Sequence, residues 1–419
     1  TLTSGLGPTI SEVGVQLPAI FLVGFIPMIL VALGYRELNN AMPDSGTSFT
    51  WATRAFGPWV GWMGGWGLIA ATIIVLSNLA AVAVDFFYLM LAQVTGNDSL
   101  ADLTLNLPLN IATTLVFVAI ACWISYRGVE TTKTVQYVLV AFQLIVLTWF
   151  SIAAFAHVAG GTAFDATQIS WDWFNPFAVE SFSAFAAGVS LSIFVYWGWD
   201  VTLTMNEETR DPDKTPGRAA TATVFVIVLI YMMIALAVIS YAGVGDGELG
   251  AGNPENQESI FAVLATPVMG PFAILMSLSI LSSSAASLQS TFVSPARTLL
   301  AMGHYRALPK RFGRISPAYK SPGYATVAAA IAASAFYVVT RLLSENALWD
   351  TITALGLMIC FYYGITALAC VWYFRRDAFE SVRSFLLKFL APALGGIILF
   401  IMFIKTAFDS MDPDYGSGS

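Results

Sequence analysis

The sequence predicts an all-α, polytopic integral membrane protein, and three observations carry that prediction. Hydrophobic residues make up 57% of the 419-residue chain and charged residues only 11%, less than half of the ~25% charge usual in a soluble globular chain. Apolar runs approach ~20 residues, the length of helix that crosses a bilayer core. These runs are continuous rather than alternating over ~10 residues, which excludes a transmembrane β-barrel.

By the length criterion the first five spans lie at residues 16–34, 60–91, 110–126, 135–159 and 181–206, and the second five at 222–244, 260–291, 324–339, 348–374 and 386–408. Their connections alternate in charge. After the first span come Arg36 and Arg54, after the third Arg127 and Lys133, and after the fifth Arg210, Lys214 and Arg218. After the seventh come Arg297, Arg306, Lys310, Arg311, Arg314 and Lys320, and after the ninth-placed run Arg375, Arg376, Arg383 and Lys388. Of the 19 basic residues only Arg341 and Lys405 fall elsewhere. The intervening connections hold Asp98, Asp102, Asp165, Asp172, Asp246, Glu248, Glu255, Glu258, Glu345 and Asp350. Basic residues in short loops fix orientation, so the basic side is expected in the cytoplasm of a plasma-membrane protein.

One span is broken by its own residues. Phe194-Val195-Tyr196-Trp197-Gly198-Trp199-Asp200 puts a glycine, two indoles and a carboxylate inside an apolar run. A charge at bilayer depth persists mainly where it faces a cavity, a partner or a substrate path. A Gly-interrupted membrane segment is also the best sequence pointer to a transporter's binding site. Unwinding around Gly198 would leave the carbonyls near Phe194, Val195 and Trp197 unpaired and ready for a substrate ammonium. For Asp200 the alternative is a cap restarting the helix, and for Trp197 and Trp199 it is packing or an interfacial belt.

Three loop segments on the basic side carry a resemblance. The first is Tyr35-Arg36-Glu37-Leu38 with Met42-Pro43-Asp44-Ser45-Gly46 and Ala55-Phe56-Gly57-Pro58. The second is Asn206-Glu207-Glu208-Thr209-Arg210-Asp211-Pro212 with Pro216-Gly217-Arg218-Ala219. The third is Pro295-Ala296-Arg297 with Ala301-Met302-Gly303, Ala307-Leu308-Pro309, Phe312-Gly313-Arg314 and Ser321-Pro322. Together they resemble the amino acid permeases of the amino acid-polyamine-organocation superfamily along nearly the whole chain. The resemblance implies a leucine-transporter-like fold of two inverted five-helix repeats, at 1–159 and 181–374, with helix 11 at 386–408. It implies a secondary transporter that imports or exchanges amino acids by alternating access, not an enzyme, with no cofactor. The first and last helices are expected to be incomplete.

Carried onto this sequence, the resemblance makes Ser4-Gly5-Leu6-Gly7 the remnant of the first helix's unwound stretch, which donates amides to a substrate carboxylate. It makes Phe194, with Trp197, the gate over the substrate, and it places Asp200 where several relatives keep a glutamate, with cation binding or proton relay as the role open to Asp200. Ala71, Thr72 and Leu76, with Ser290 and Thr291, are matched to the lining. A proton or a sodium ion is the coupling partner to be weighed. Gln143 stands where some relatives have a lysine, and it cannot titrate. Ser283 and Ser284 offer hydroxyls to sodium, although serines also pack between membrane helices. Asp85 is expected near the outer surface.

Other classes fit less well. A polyamine or organic-amine importer, or a non-transporting substrate sensor of the same fold, remain as alternatives. Asp213-Lys214-Thr215 lacks the glycine and the nucleotide domain of a phosphorylated pump, and no phosphate-binding Gly-rich loop is present. His157 and His304 are isolated, which argues against a metal site or a triad. Glu207-Glu208 point apart on a helix and suit capping or pairing with basic loops. The run Arg306, Lys310, Arg311 and Arg314 follows from topology rather than from a nucleic-acid partner. Cys122, Cys360 and Cys370 read as small buried hydrophobes.

Overall fold

The computed structural model describes residues 2–128, 133–257, 259–343 and 347–411, and every regular element among them is helical. Glu258 and Glu345, two of the acids read from the sequence, lie outside the described residues, as do the side chains of Asp350 and Lys133. Among the described residues ten helices are long and apolar enough to cross a membrane.

The chain opens with α1 (Leu2–Val13), passes a 3-10 step and enters α2 (Leu17–Ala41). A short α3 (Ser48–Phe56) precedes the long α4 (Pro58–Thr95), followed by α5 (Leu107–Arg127) and α6 (Lys133–Ala159). The second half runs α7 (Phe182–Val195), a 3-10 segment (Trp199–Glu208), α8 (Thr215–Ala242), α9 (Ile260–Met269), α10 (Ala273–Thr291) and α11 (Val293–His304). It closes with α12 (Gly323–Leu343), α13 (Ala347–Tyr373), the single turn α14 (Val382–Ser384), a π-helical stretch and α15 (Ala391–Asp409).

Start signals explain where several of these begin. The side-chain oxygens of Asn106 and Ser181 accept from the amides of Leu109 and Ala184, satisfying donors that a helix N-terminus leaves orphaned. Pro58, Pro108 and Pro216 occupy first turns, where their missing N–H costs nothing. One expectation needs correction. The run 260–291 falls in one membrane-length apolar segment, Ile260–His304, but it is not one helix: α9 and α10 are parted at Gly270–Phe272, where Gly270 turns to φ 57° and Pro271 has no N–H to continue the ladder.

Burial separates an inner from an outer set. The most apolar stretch of α4 is 83% buried, against 22% for α5, so α4 is an axis and α5 is a wall. Around that axis pack α3, α10, α12 and α13, while α1 packs on α7 and α2 on α7, α8 and α15. Outward faces carry Val116, Ile120 and Trp123 on α5, Phe225 and Leu229 on α8, and Ile397, Ile401 and Ile404 on α15, all exposed. In water such an apolar surface would be anomalous; against lipid it is the expected face.

Close approach to α4 depends on missing side chains. A Cβ at Gly61 would stand 1.8 Å from the Thr53 hydroxyl oxygen and 2.8 Å from the Phe49 carbonyl, and one at Gly65 would stand 2.9 Å from the Phe49 Cβ. Small residues let membrane helices touch backbone to backbone. Gly61→Ala is therefore expected to destabilise the protein by about 1–3 kcal/mol, the usual cost of overpacking. Gly245→Ala, with nothing within 4 Å of its added carbon, is the neutral control in a detergent melting experiment. Equal melting of the two variants would refute tight α3–α4 packing.

Candidate functional site

The expected break is present. Helix α7 ends at Val195, three residues turn, and the chain restarts at Trp199 as a tighter 3-10 winding. Gly198 sits at φ 112°, ψ −7°, a conformation that side-chain-bearing residues rarely adopt. No atom lies within 4 Å of where its Cβ would be. Open space therefore adjoins the break at Gly198, while Phe194, Val195, Tyr196, Trp197, Trp199 and Asp200 are all buried.

The backbone accounting corrects one expectation. The Phe194 carbonyl accepts from the Trp197 amide at 3.0 Å, and the Val195 carbonyl accepts from the Tyr231 hydroxyl of α8 at 3.1 Å. These two groups are thus paired internally rather than left free, as buried backbone groups almost always are. Tyr196 reinforces the turn by donating to the Phe21 carbonyl of α2 at 3.0 Å.

Asp200 does not act as the cap weighed as its alternative role; its oxygens turn to α13. The Tyr363 hydroxyl donates to one oxygen at 2.8 Å and the Tyr362 hydroxyl to the other at 3.2 Å. The Trp197 indole N–H in turn donates to the Tyr362 oxygen at 2.6 Å. Trp199 stacks on Tyr363 with ring centroids 4.9 Å apart, and Tyr35 meets Trp199, Trp51 and Tyr363 edge-on at 5.1, 5.4 and 5.6 Å. Both tryptophans of the break are thus packed inside the bundle, which removes the interfacial-belt reading. A buried carboxylate needs such donors.

Opposite the break stands α1. A Cβ at Gly5 would come within 2.4 Å of Val195 Cγ2 and 3.4 Å of the Phe194 ring, so glycine lets α1 lie directly on Phe194 and Val195. Ser4, beside it, is buried, and the stretch Ser4-Gly5-Leu6-Gly7, expected to be unwound, is instead regular α-helix inside α1. Ala71, Thr72 and Leu76 are buried on α4, where the Thr72 hydroxyl donates to the Leu68 carbonyl at 2.6 Å. Thr291 is buried at the end of α10, and Ser290 donates to the Ser287 carbonyl at 3.2 Å. Three of the four residues weighed for ion coupling lie together, without Asp200: the Ser283 hydroxyl donates to the Gln143 side-chain oxygen at 2.9 Å across α10 and α6, with Ser284 buried next to it. Asp85 stands apart, lining a 310 Å³ cavity with Asn78, Tyr337 and Arg341.

The motif loops converge below the break. Asn206 donates to the Asn39 side-chain oxygen at 2.9 Å, and Asn39 donates to the Pro212 carbonyl at 2.7 Å. Glu207 accepts from the Ser45 amide at 3.0 Å, while Glu208 takes a forked pair of bonds from Arg297 at 2.6 to 2.9 Å. The two adjacent glutamates therefore do pair with basic-side loops, each with a different one. Asp44 accepts from Gly46, Thr50 and the Tyr305 hydroxyl. That last bond, with burial second, pushes the Tyr305 hydroxyl above its ordinary range.

Sequence reasoning missed Tyr362, Tyr363 and Tyr231. The signal was available: a tyrosine hydroxyl in mid-span needs a partner when buried, and Tyr362-Tyr363 is a pair of them.

The model of a family described as amino acid permease matches residues 2–417. The branched-chain amino acid permease BcaP of Lactococcus lactis subsp. cremoris (strain MG1363) is 38% identical over 47 residues, a stretch that spans 11% of this chain and 10% of that relative. The crystal structure of MhsT in complex with L-phenylalanine aligns with a TM-score of 0.63 at 15% identity, over 96% of this chain and 97% of that one. That likeness shows the fold, which is leucine-transporter-like.

Tyr363→Phe removes one donor from Asp200 and is expected to destabilise the protein by about 1–3 kcal/mol, the cost of an orphaned buried acceptor. A melting temperature unchanged from the parent would mean that Asp200 does not depend on α13.

Proposed function

The chain belongs to the amino acid permease family, and from that premise we propose that it carries an amino acid across the cell membrane by alternating access, with the substrate bound beside the break at 195–199. One observation supports this most directly: open space at Gly198, in mid-span, next to paired but reorientable backbone and opposite the close-packed α1. A small zwitterion suits such a place, because helix ends present partial charges to its two ionic groups.

In this reading Phe194 closes over the substrate, and Gly5 gives α1 the freedom to lie against it. Val195, Trp197 and Gly198 form the wall of the site, with Ala71, Thr72, Leu76 and Thr291 lending it shape from α4 and α10. The repeats divide as 1–159 and 181–374. The basic loops face the cytoplasm, by the bias of Lys and Arg toward that side. The Gln143–Ser283 contact is where a coupling ion would act, and a sodium or proton dependence of uptake identifies it.

Asp200 serves to anchor the lower half of the broken span to α13. A polyamine substrate would need a carboxylate free to receive a second ammonium, and both Asp200 oxygens accept tyrosine hydroxyls. This favours an amino acid over a polyamine.

Proteoliposomes holding the protein are expected to accumulate a labelled amino acid. Phe194→Ala should cut uptake about tenfold, as loss of about 1.4 kcal/mol of closure would do, with less effect on melting. Ligand-induced stabilisation without accumulation would support the sensor reading, and undiminished uptake by the variant would remove Phe194 from the gate.

A further inference from the structure

A second cavity lies away from the break, on the face that carries the basic loops. Helix α3, the first turns of α4 and the turn after α11 enclose about 710 Å³, well within the size of a ligand pocket. Its wall mixes Arg54 and Arg306 with Trp59, Trp62, Thr53 and Tyr305. Both arginines are exposed, and neither forms an ion pair among the described residues. Arg306 is held at φ 62° in a turn closed by bonds from its own amide to the Gly303 carbonyl and from the Ala307 amide to the Met302 carbonyl.

The indoles point to the environment. Trp59 is 83% exposed and Trp62 38%, and Trp62 stacks on the exposed Trp66 with ring centroids 5.7 Å apart and planes 5° apart. Exposed tryptophans at the end of a membrane helix belong at headgroup level. Two guanidiniums at that level suit a phosphodiester, which they can bind in forked geometry. The nearest acid in the hydrogen-bond network, Asp44, already accepts from three donors.

We propose that this cavity seats the headgroup of an anionic phospholipid from the cytoplasmic leaflet, with Arg54 and Arg306 on its phosphate and Trp59 and Trp62 along its glycerol and acyl chains. The leaflet rests on the orientation argued above; the lipid chemistry does not. Occupancy has a route inward. Tyr305 lines the cavity and donates to Asp44, whose turn holds Glu207 through the Ser45 amide. The lipid thereby braces the contact between α3, α11 and the lower half of the broken span.

The test uses the full chain in phosphatidylcholine nanodiscs with and without phosphatidylglycerol. Retained lipid is read by native mass spectrometry and stability by thermal shift. The wild type is expected to retain phosphatidylglycerol selectively and to melt higher with it. Arg54→Gln combined with Arg306→Gln should weaken that retention about thirtyfold, the loss expected when two basic contacts to an anionic lipid go. Arg54→Lys with Arg306→Lys should recover part of it. Arg375→Gln with Arg376→Gln, equal in charge loss, should leave it unchanged. No phosphatidylglycerol preference in the wild type, equal loss in the control pair, or equal stabilisation by soluble glycerol phosphate would each overturn the proposal. Labelling of Arg311→Cys by an impermeant thiol reagent only from outside intact cells would overturn the leaflet, while selective retention in the discs would still stand.

Discussion

A carboxylate buried in a bilayer-sized bundle must be solvated by the protein itself, since its desolvation would otherwise cost far more than folding can spare. The Tyr362 and Tyr363 hydroxyls meet that demand for Asp200. Much of the interior is arranged around those two bonds. They require α13 to approach the restart of the broken span, they orient the Trp197 indole through Tyr362, and they bring Tyr35, Trp51 and Trp199 into one aromatic cluster. The upper half of the span, by contrast, is tied to α2 and α8 through Tyr196 and Tyr231. The two halves share neighbours, α7 also lying on α13 and the 3-10 segment on α8, and Gly198 is the joint between them.

Much of this was legible from residues alone. Span positions followed from apolar length because helices must satisfy their own backbone in lipid, and each of the ten runs overlaps one of the ten membrane-length segments among the described residues. The run 260–291 looked like one helix because hydropathy registers neither the turn at Gly270 nor a missing N–H at Pro271. The break announced itself through Gly198 and Asp200. Its neighbours did not, since pairing between the 3-10 segment and α13 or between Gln143 and Ser283 joins residues more than 100 positions apart. Local pattern holds no record of such distances. The carbonyls of Phe194 and Val195 were misread for two other reasons: the first is closed by a local turn to the Trp197 amide, and the second by the Tyr231 hydroxyl on the next span.

The motif loops gain a physical meaning once assembled. Asn39, Asn206, Ser45 and Glu207 contribute neutral or singly charged bonds, each worth about 0.5–1.5 kcal/mol, or up to about 3 where a charge takes part. The forked Arg297–Glu208 pair adds geometric definition more than energy, because the Glu208 side chain is 57% exposed and solvent weakens such pairs. Closure on this side is therefore distributed over many small bonds.

The 3-10 winding of Trp199–Glu208 has a geometric corollary. Ten residues at about 2.0 Å rise extend about 20 Å, whereas the same ten as an α-helix would extend about 15 Å. Long 3-10 runs are uncommon because their bonds are less well aligned. The segment thus holds some 5 Å of contractile length, close to one helical pitch. Converting it would draw its far terminus toward the joint and would require both glutamates to leave Ser45 and Arg297.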